Sequence, residues 1–422
     1  MSAEQATAAA QPRQEKEQQP GDDRWREAFR RIVSGTWGVS IGAIILAVLV
    51  GSIMIALTDD NVRTSFGYFG ARPADTFHAI GTAVGGAYAA LFRGAVWDYN
   101  ATGFTSSISP LANSLTQATP LITAGLGVAI GFRSGMFNIG GRGQMLVAAI
   151  FGGWVGFSFD LPPVVHLLIA VVAGMIGGAL WAGIAGVLKA TTGAHEVIVT
   201  IMLNYIAFYI LGYLLSKPGL LQAPGSSNPK TPPMKPNAIM PHLFGPKLTL
   251  HWGFIFALVA VVFAWWLLER SKLGFQFRAV GENPAAARVA GIDVKRMTIY
   301  SMLVGGALLG LAGVTQVLGT TTTGFDDGID AGVGFDAITV ALLGRSTPLG
   351  VLGASILFGA FRAGGATMQA SQGVPIEIVQ VVQALIVLFI AAPPLVRAVF
   401  RLPQPGSQPR KRKTTTPAEV TA

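Results

Sequence analysis

Long uncharged apolar runs alternate along this chain with short polar and basic stretches. Val39–Leu57, Leu111–Phe132, Val197–Ser216, Met297–Gly319 and Ile378–Val396 each hold about 19 or more residues without Asp, Glu, Lys or Arg. That is the length a helix needs to cross a bilayer. Pro163–Leu188 and Leu250–Leu268 also qualify, each with one histidine near an end. Three apolar segments are shorter: 145–159, 333–344 and 348–361. The pattern predicts an all-α, polytopic membrane protein of about ten segments. Eight cross, and the short pair 333–344 and 348–361 either crosses or forms a re-entrant hairpin. A surface helix is expected near Asp75–Arg93.

Composition agrees with lipid as the solvent. Of 422 residues, 51% are hydrophobic and 12% charged, where soluble domains carry roughly 25% charged residues. The net charge of +9 does not point to nucleic acid, because the basic residues alternate with the spans. Arg24, Arg26, Arg30 and Arg31 precede the first, and Arg270, Lys272, Arg278, Arg288, Lys295 and Arg296 fill one loop. Arg397, Arg401 and Arg410 to Lys413 follow the last. The positive-inside rule then places both termini in the cytoplasm. Residues 1–35 form a tail expected to be disordered, 36–397 the membrane domain with a cytoplasmic loop at 269–296, and 398–422 a basic tail. No small-residue cleavage site follows the first apolar run, so it should stay as a membrane helix. With no cysteine, neither a disulfide framework nor a thiolate metal site exists.

The most informative motif is Gly281-Glu-Asn-Pro-Ala-Ala-Ala-Arg-Val-Ala-Gly291. Asn283 can cap a short helix, Pro284 fits its first turn, and Gly291 supplies the left-handed residue that stops it. So well delimited a helix in a cytoplasmic loop suits a rigid docking knob. Gly135 to Gln144 places glycines among polar side chains between apolar runs. Unwound backbone at membrane depth is tolerated only inside protein or along a cavity, so Asn138 and Gln144 could hydrogen-bond a polar solute; a plain turn remains the alternative. Arg133 and Arg142 should face the inner interface. Asp336 is a pathway candidate because an ionisable residue inside a span is costly, whereas Asp326, Asp327 and Asp330 should be solvated or touch a partner protein.

Other patterns point away from chemistry. His195-Glu196 lacks the second histidine of a zinc-protease helix, since position 199 is valine, and Glu196 suits a helix start. Gly174, Gly178, Ala182 and Gly186, like Gly306 and Gly310, recur every four residues and should let helix backbones approach closely. No Gly-x-x-x-x-Gly-Lys-Ser/Thr loop occurs, so ATP is not bound by that route.

Gly281–Gly291 resembles the coupling loop of membrane subunits in bacterial ATP-binding-cassette (ABC) importers. Phe137 to Gln144, His195 to Tyr205, Gly334 to Gly344 and Pro348-Leu-Gly350 resemble permeases of the branched-chain amino acid and simple-sugar group. Within it they are similar to the nucleoside-uptake branch that works with basic-membrane-protein-type lipoproteins. The likeness covers roughly residues 75–397, and one departure is Gly141-Arg142, where the branch commonly has Ala-Glu.

The resemblance implies a type II importer-like fold in the bacterial plasma membrane. A second permease subunit, alike or paralogous, would complete the pathway, with membrane lipid around it. An ABC ATPase subunit would grip Gly281, Glu282, Asn283, Pro284, Ala286, Ala290 and Gly291, and an extracytoplasmic lipoprotein would deliver the solute. The chain would itself hold no cofactor and no metal, and ATP would be hydrolysed elsewhere. Nucleosides are the leading solute, with simple sugars or branched-chain amino acids as the alternative. An ion-coupled carrier would need intramembrane ionisable groups, of which these spans show almost none besides Asp336. A membrane enzyme lacks a nucleophile–base pair.

Overall fold

The computed structural model describes residues 36–392 together with 395, 398 and 399. The tails expected at 1–35 and 398–422, with Arg24, Arg26, Arg30, Arg31, Arg397 and Arg401, lie almost wholly outside the described residues. Among the described residues the chain is helical, with only isolated β-bridges. Helices α1 (Thr36–Thr58), α2 (Asp60–Phe66) and α3 (Pro73–Ala95) lead to α4 (Phe104–Arg133), α5 (Gly141–Ser158), α6 (Pro163–Thr192) and α7 (Glu196–Leu215). After a long loop come α8 (Gly253–Arg270), α9 (Lys272–Glu282), α10 (Pro284–Val289) and α11 (Val294–Thr315), which ends in a π-turn, Gln316–Thr320. Helices α12 (Val333–Leu343), α13 (Pro348–Gln372) and α14 (Ile376–Ala391) close the fold.

Among the described residues six helices are long and apolar enough to span a membrane: α4, α6, α7, α8, α11 with its π-turn, and α13. A seventh results if α1 and α2, bent by 74° at their break, count as one. Segment 348–361 is therefore not short. Its helix runs on to Gln372, because Arg362, which ends the apolar run in the sequence, is neutralised by Asp336 and does not stop the helix. Helix α12 is the short one, at 11 residues. The expected surface helix at 75–93 is α3, but it is not a free surface element. Ala87 and Ala90 are buried against Ile55 of α1 and Met368 of α13.

Helices α4 and α11 are buried over most of their length and form the centre of the bundle. The small-residue pattern explains the tightest packing. A Cβ added at Gly178 on α6 would stand 2.7 Å from Gly310 Cα on α11, so these backbones touch as the spacing predicts. The loop 217–252, which holds eight prolines, covers one end of the bundle. Its Met234 and Met240 amides donate to the Thr322 and Leu318 carbonyls, both at 2.8 Å. The opposite end carries the end of α4, the α9–α10 segment and Ser346.

Candidate functional site

The Gly281–Gly291 segment folds as its residues dictate. Asn283 is extended, and its Oδ1 accepts the Ala285 and Ala286 amides, each at 3.0 Å. Pro284 opens α10, where no amide is needed. Gly291 takes φ +82°. The Ile292 amide donates to the Ala287 carbonyl and the Gly291 amide to the Arg288 carbonyl, both at 3.0 Å. This paired pattern is a Schellman cap, and Ala287 and Ile292 supply its buried hydrophobic contact. Ala286 and Ala290 lie exposed, and Val289 at the tip is 92% exposed. Glu282 ends α9 rather than opening α10. An open groove of about 850 Å³ runs beside the knob, lined among others by Phe275, Glu282, Asn283, Ala286 and Ala290.

Gly281 joins this knob to the bundle. A Cβ there would collide with the Arg133 carbonyl and stand 3.0 Å from the Gly135 nitrogen. Gly135, at φ +74°, ends α4 with a Schellman cap of its own: the Met136 amide reaches the Gly131 carbonyl at 2.9 Å. Arg133 Nε donates to the Ser346 carbonyl at 3.1 Å, tying in the turn between α12 and α13. The knob thus meets the end of α4 by main-chain contact, and the turn between α12 and α13 is joined to that end through the Arg133 side chain.

Residues Ser134–Gly140 are the unwound stretch, and Gln144 lies in the first turn of α5. Asn138, 2% exposed, and Gln144 hydrogen-bond each other amide to amide at 3.1 and 3.2 Å. Asn138 Oδ1 also accepts the Gly140 amide at 2.9 Å. Asn204 of α7 holds the same turn, donating to the Ile139 carbonyl at 3.0 Å and accepting from the Gly143 amide at 2.8 Å. Thr200, one turn earlier on that face, accepts from the Ile139 amide at 3.3 Å. Asn138 and Gln144 thus spend their amides on fixing a turn. Asn204 and Thr200 were not singled out from sequence; their i, i+4 spacing on an otherwise apolar helix was the available signal.

Asp336 stands in the first turn of α12, and Arg362 of α13 donates to its carboxylate at 2.6 Å and to the Ala331 carbonyl at 3.1 Å. Among the described residues no hydrogen bond joins its side chain to Asn138 or to the knob. Asp330, expected to be solvated, is instead buried and pairs with Arg142 Nε at 3.3 Å. Arg142, expected at the inner interface, lies with Cζ 4.9 Å from the Phe208 ring centroid on α7. Both departures share a cause. The segment after α11 folds back so that Gly334 meets Gly141, where an added Cβ would come within 2.6 Å of the Gly334 carbonyl oxygen. A loop acid is thereby carried to the start of α5. Glu196 opens α7 and pairs with Lys189 at 2.7 Å.

Residues 110–391 match the family described as the permease component of branched-chain amino acid transport systems. The chain is 40% identical over 310 residues to the guanosine ABC transporter permease protein NupP of Bacillus subtilis, covering 72% of this chain and 86% of that one. It is 35% identical over 306 residues to the nucleoside ABC transporter permease protein NupB of Lactococcus lactis, covering 70% and 83%. It is 33% identical over 320 residues to the glucose ABC transporter permease protein TsgB13 of Haloferax volcanii, covering 74% and 82%. No solved structure matches.

Proposed function

The chain belongs to the family of permease components of branched-chain amino acid transport systems, and from that premise we propose that it is the permease subunit of an ATP-driven nucleoside importer. Two of the relatives named above carry guanosine or nucleoside in their names. The glucose permease is the observation behind the second reading, a simple-sugar solute.

The geometry that carries the mechanism is the contact of Gly281 with Arg133 and Gly135. An ABC ATPase subunit grips α10 and the groove beside it; Val289 and the flanking alanines offer it a small, rigid apolar tip. When nucleotide binding closes that ATPase, the knob pushes on the end of α4, and the turn fixed by Asn138, Gln144 and Asn204 moves with it. The end of α12 follows through the Arg133–Ser346 bond. A second permease subunit completes the pathway, and an extracytoplasmic lipoprotein docks at the proline-rich end. The pathway candidates Asn138, Gln144 and Asp336 act in this reading by setting the two arrangements of the turn and of α12. The chain binds no cofactor or metal, and ATP is hydrolysed by its partner.

This reading orients the multi-pass protein in a bacterial plasma membrane with the α9–α10 loop and both termini cytoplasmic. Counting α5, α12 and α14 and taking α1 with α2 as one gives ten segments. The ion-coupled alternative is disfavoured because Asp336 is neutralised by Arg362 within the chain. Uptake of radiolabelled guanosine by cells expressing the full transporter tests the reading. It should stop on ATP depletion and survive a protonophore while ATP is maintained; the reverse outcome would establish an ion-coupled carrier instead.

A further inference from the structure

The exposed side of α7 carries Ile198, Met202, Ile206 and Ile210, as lipid would favour, but one flank of it has a different chemistry. Its buried face is Glu196, Thr200, Leu203, Asn204, Ala207, Leu211 and Leu215. On one flank of the rest stand Tyr205, Phe208 and Tyr209, spaced i, i+3 and i+4, so that the three rings form one patch. Tyr205 is 57% and Tyr209 70% exposed. Phe208 and Tyr209 meet edge to face with ring centroids 5.5 Å apart. Neither tyrosine hydroxyl makes a hydrogen bond among the described residues. Tyr213, a turn further on, lies under Lys217 at 5.6 Å and serves as an end anchor.

Arg142 supplies a second, independent observation. Its guanidinium packs on Phe208 and its side chain is 32% exposed. Helix α7 is about 30 Å long at ~1.5 Å per residue, and Phe208 lies about 18 Å from its start. A partly exposed charge is thus held at hydrocarbon depth. Intramembrane charges face protein or a water-filled cavity rather than lipid. The contact with Asp330 is made through Nε, and a guanidinium has five N–H donors in all. Donors therefore remain on the exposed side, beside two aromatic faces.

We propose that Tyr205, Tyr209 and Arg142 form a mid-membrane recognition station on the wall of the translocation pathway, the tyrosine rings stacking on the base of a nucleoside and Arg142 donating to a base edge that carries two acceptors. This rests on the nucleoside reading above and extends it to a purine with the O6/N7 edge of guanine, the pair that a guanidinium matches in a bidentate way. The Arg142–Asp330 pair keeps the site near neutral, so an uncharged solute passes without being trapped. Stacking is tolerant of which base it holds, while the donor fork favours one edge over another.

The test uses the full-length chain expressed with its ATPase, its permease partner and its lipoprotein. The chain has no cysteine, so single cysteines can be read without background from this subunit. Tyr205→Cys and Tyr209→Cys should react with a cationic, water-soluble methanethiosulfonate reagent, and guanosine should slow the reaction. Val172→Cys on the aliphatic face of α6 should not react. Loss of reaction at both tyrosine positions in a transporter present at normal level would mean lipid or a dry subunit contact, and would overturn the proposal. In uptake assays the Tyr205→Leu/Tyr209→Leu pair should lower guanosine uptake about tenfold, the scale of a lost base–aromatic stack, and the Tyr205→Phe/Tyr209→Phe pair should restore most of it. Arg142→Gln should lower the guanosine-to-adenosine uptake ratio, since Gln matches adenine instead. An unchanged ratio overturns the role of Arg142. If the unaltered transporter moves no nucleoside, the nucleoside reading itself fails, while thiol labelling still reports whether the face is wet.

Discussion

Helices α6 and α7 are consecutive, similarly apolar and each long enough to span a bilayer, yet their outward faces differ. Helix α6 exposes Val165, Leu168, Val172, Ile176, Leu180 and Ile184, an aliphatic surface from end to end. Helix α7 exposes Ile198, Met202, Ile206 and Ile210 as well, but sets Tyr205 and Tyr209 among them, beside an arginine. Hydropathy summed over a window does not separate the two, because the many aliphatic residues of α7 outweigh its tyrosines; what differs is the hydroxyl and the π-face. An aliphatic face is solvated by lipid at no cost. A hydroxyl in hydrocarbon has no partner, and an unpaired polar group there costs several kcal/mol. On the proposal above, the two faces belong to different surroundings, lipid for α6 and a polar path for the tyrosine flank of α7.

The strongest way to break this contrast is charge. Val172→Arg on α6 should cost about 2.5–3.5 kcal/mol at mid-membrane and remove most of the protein from the membrane fraction. Tyr209→Arg on α7 should accumulate close to normal level. Equal loss of both on an immunoblot of membranes would erase the distinction. Next in size, Asp330→Ala should leave Arg142 without its counter-ion. The cost should be about 2–3 kcal/mol, below the ~3–5 of a fully buried pair because Arg142 is partly exposed. Adding Arg142→Ala should recover part of the melting temperature lost in detergent; no recovery would mean that the two residues are not energetically coupled.

A smaller effect separates the wall from the motor contact. Asn283→Ala removes the cap of α10 at a cost of about 1 kcal/mol. It should loosen the knob, lowering guanosine uptake relative to ATP hydrolysis, while thiol labelling at Tyr209→Cys stays as before. Uptake and hydrolysis falling in parallel would place Asn283 outside coupling. A last effect, local to one loop and seen only in acid, concerns the segment that leaves α7. His251, buried beside Gly319 and facing His242, is held neutral by desolvation, its pKa lowered from 6.5 to about 4. The folded state thus binds fewer protons than the unfolded one between those values. The stability this lends is complete above pH 6.5 and declines as pH falls towards 4. Hydrogen exchange of residues 217–252 should quicken over that range, and His251→Gln should flatten the dependence.

Much of this molecule was legible in its sequence because the signals were local. The caps at Asn283 and Gly291 act within one or two turns, and the four-residue glycine repeat of α6 lies on one face of one helix, so both could be read without a fold. Apolar runs marked five of the six long spans for the same reason. The end of α13 was misread because a single arginine looked like the end of a run.

Only the tertiary structure could decide what distant residues do for one another. Asp336 finds Arg362, Asp330 finds Arg142, and Gly281 rests on Gly135 because the chain folds back after α11 and after α8. A charge in a sequence carries no label for its partner, and burial alone decides whether it is costly. The flank of α7 was hidden likewise: periodicity shows that Tyr205 and Tyr209 share a side, but only packing shows which side stays open. The sequence by itself determined the helices, their caps and their lipid-scale lengths, since those depend on neighbours within a few residues. The pairing of charges, the glycine junction beneath the knob and which face of each helix stays uncovered were settled by contacts between segments far apart in the chain.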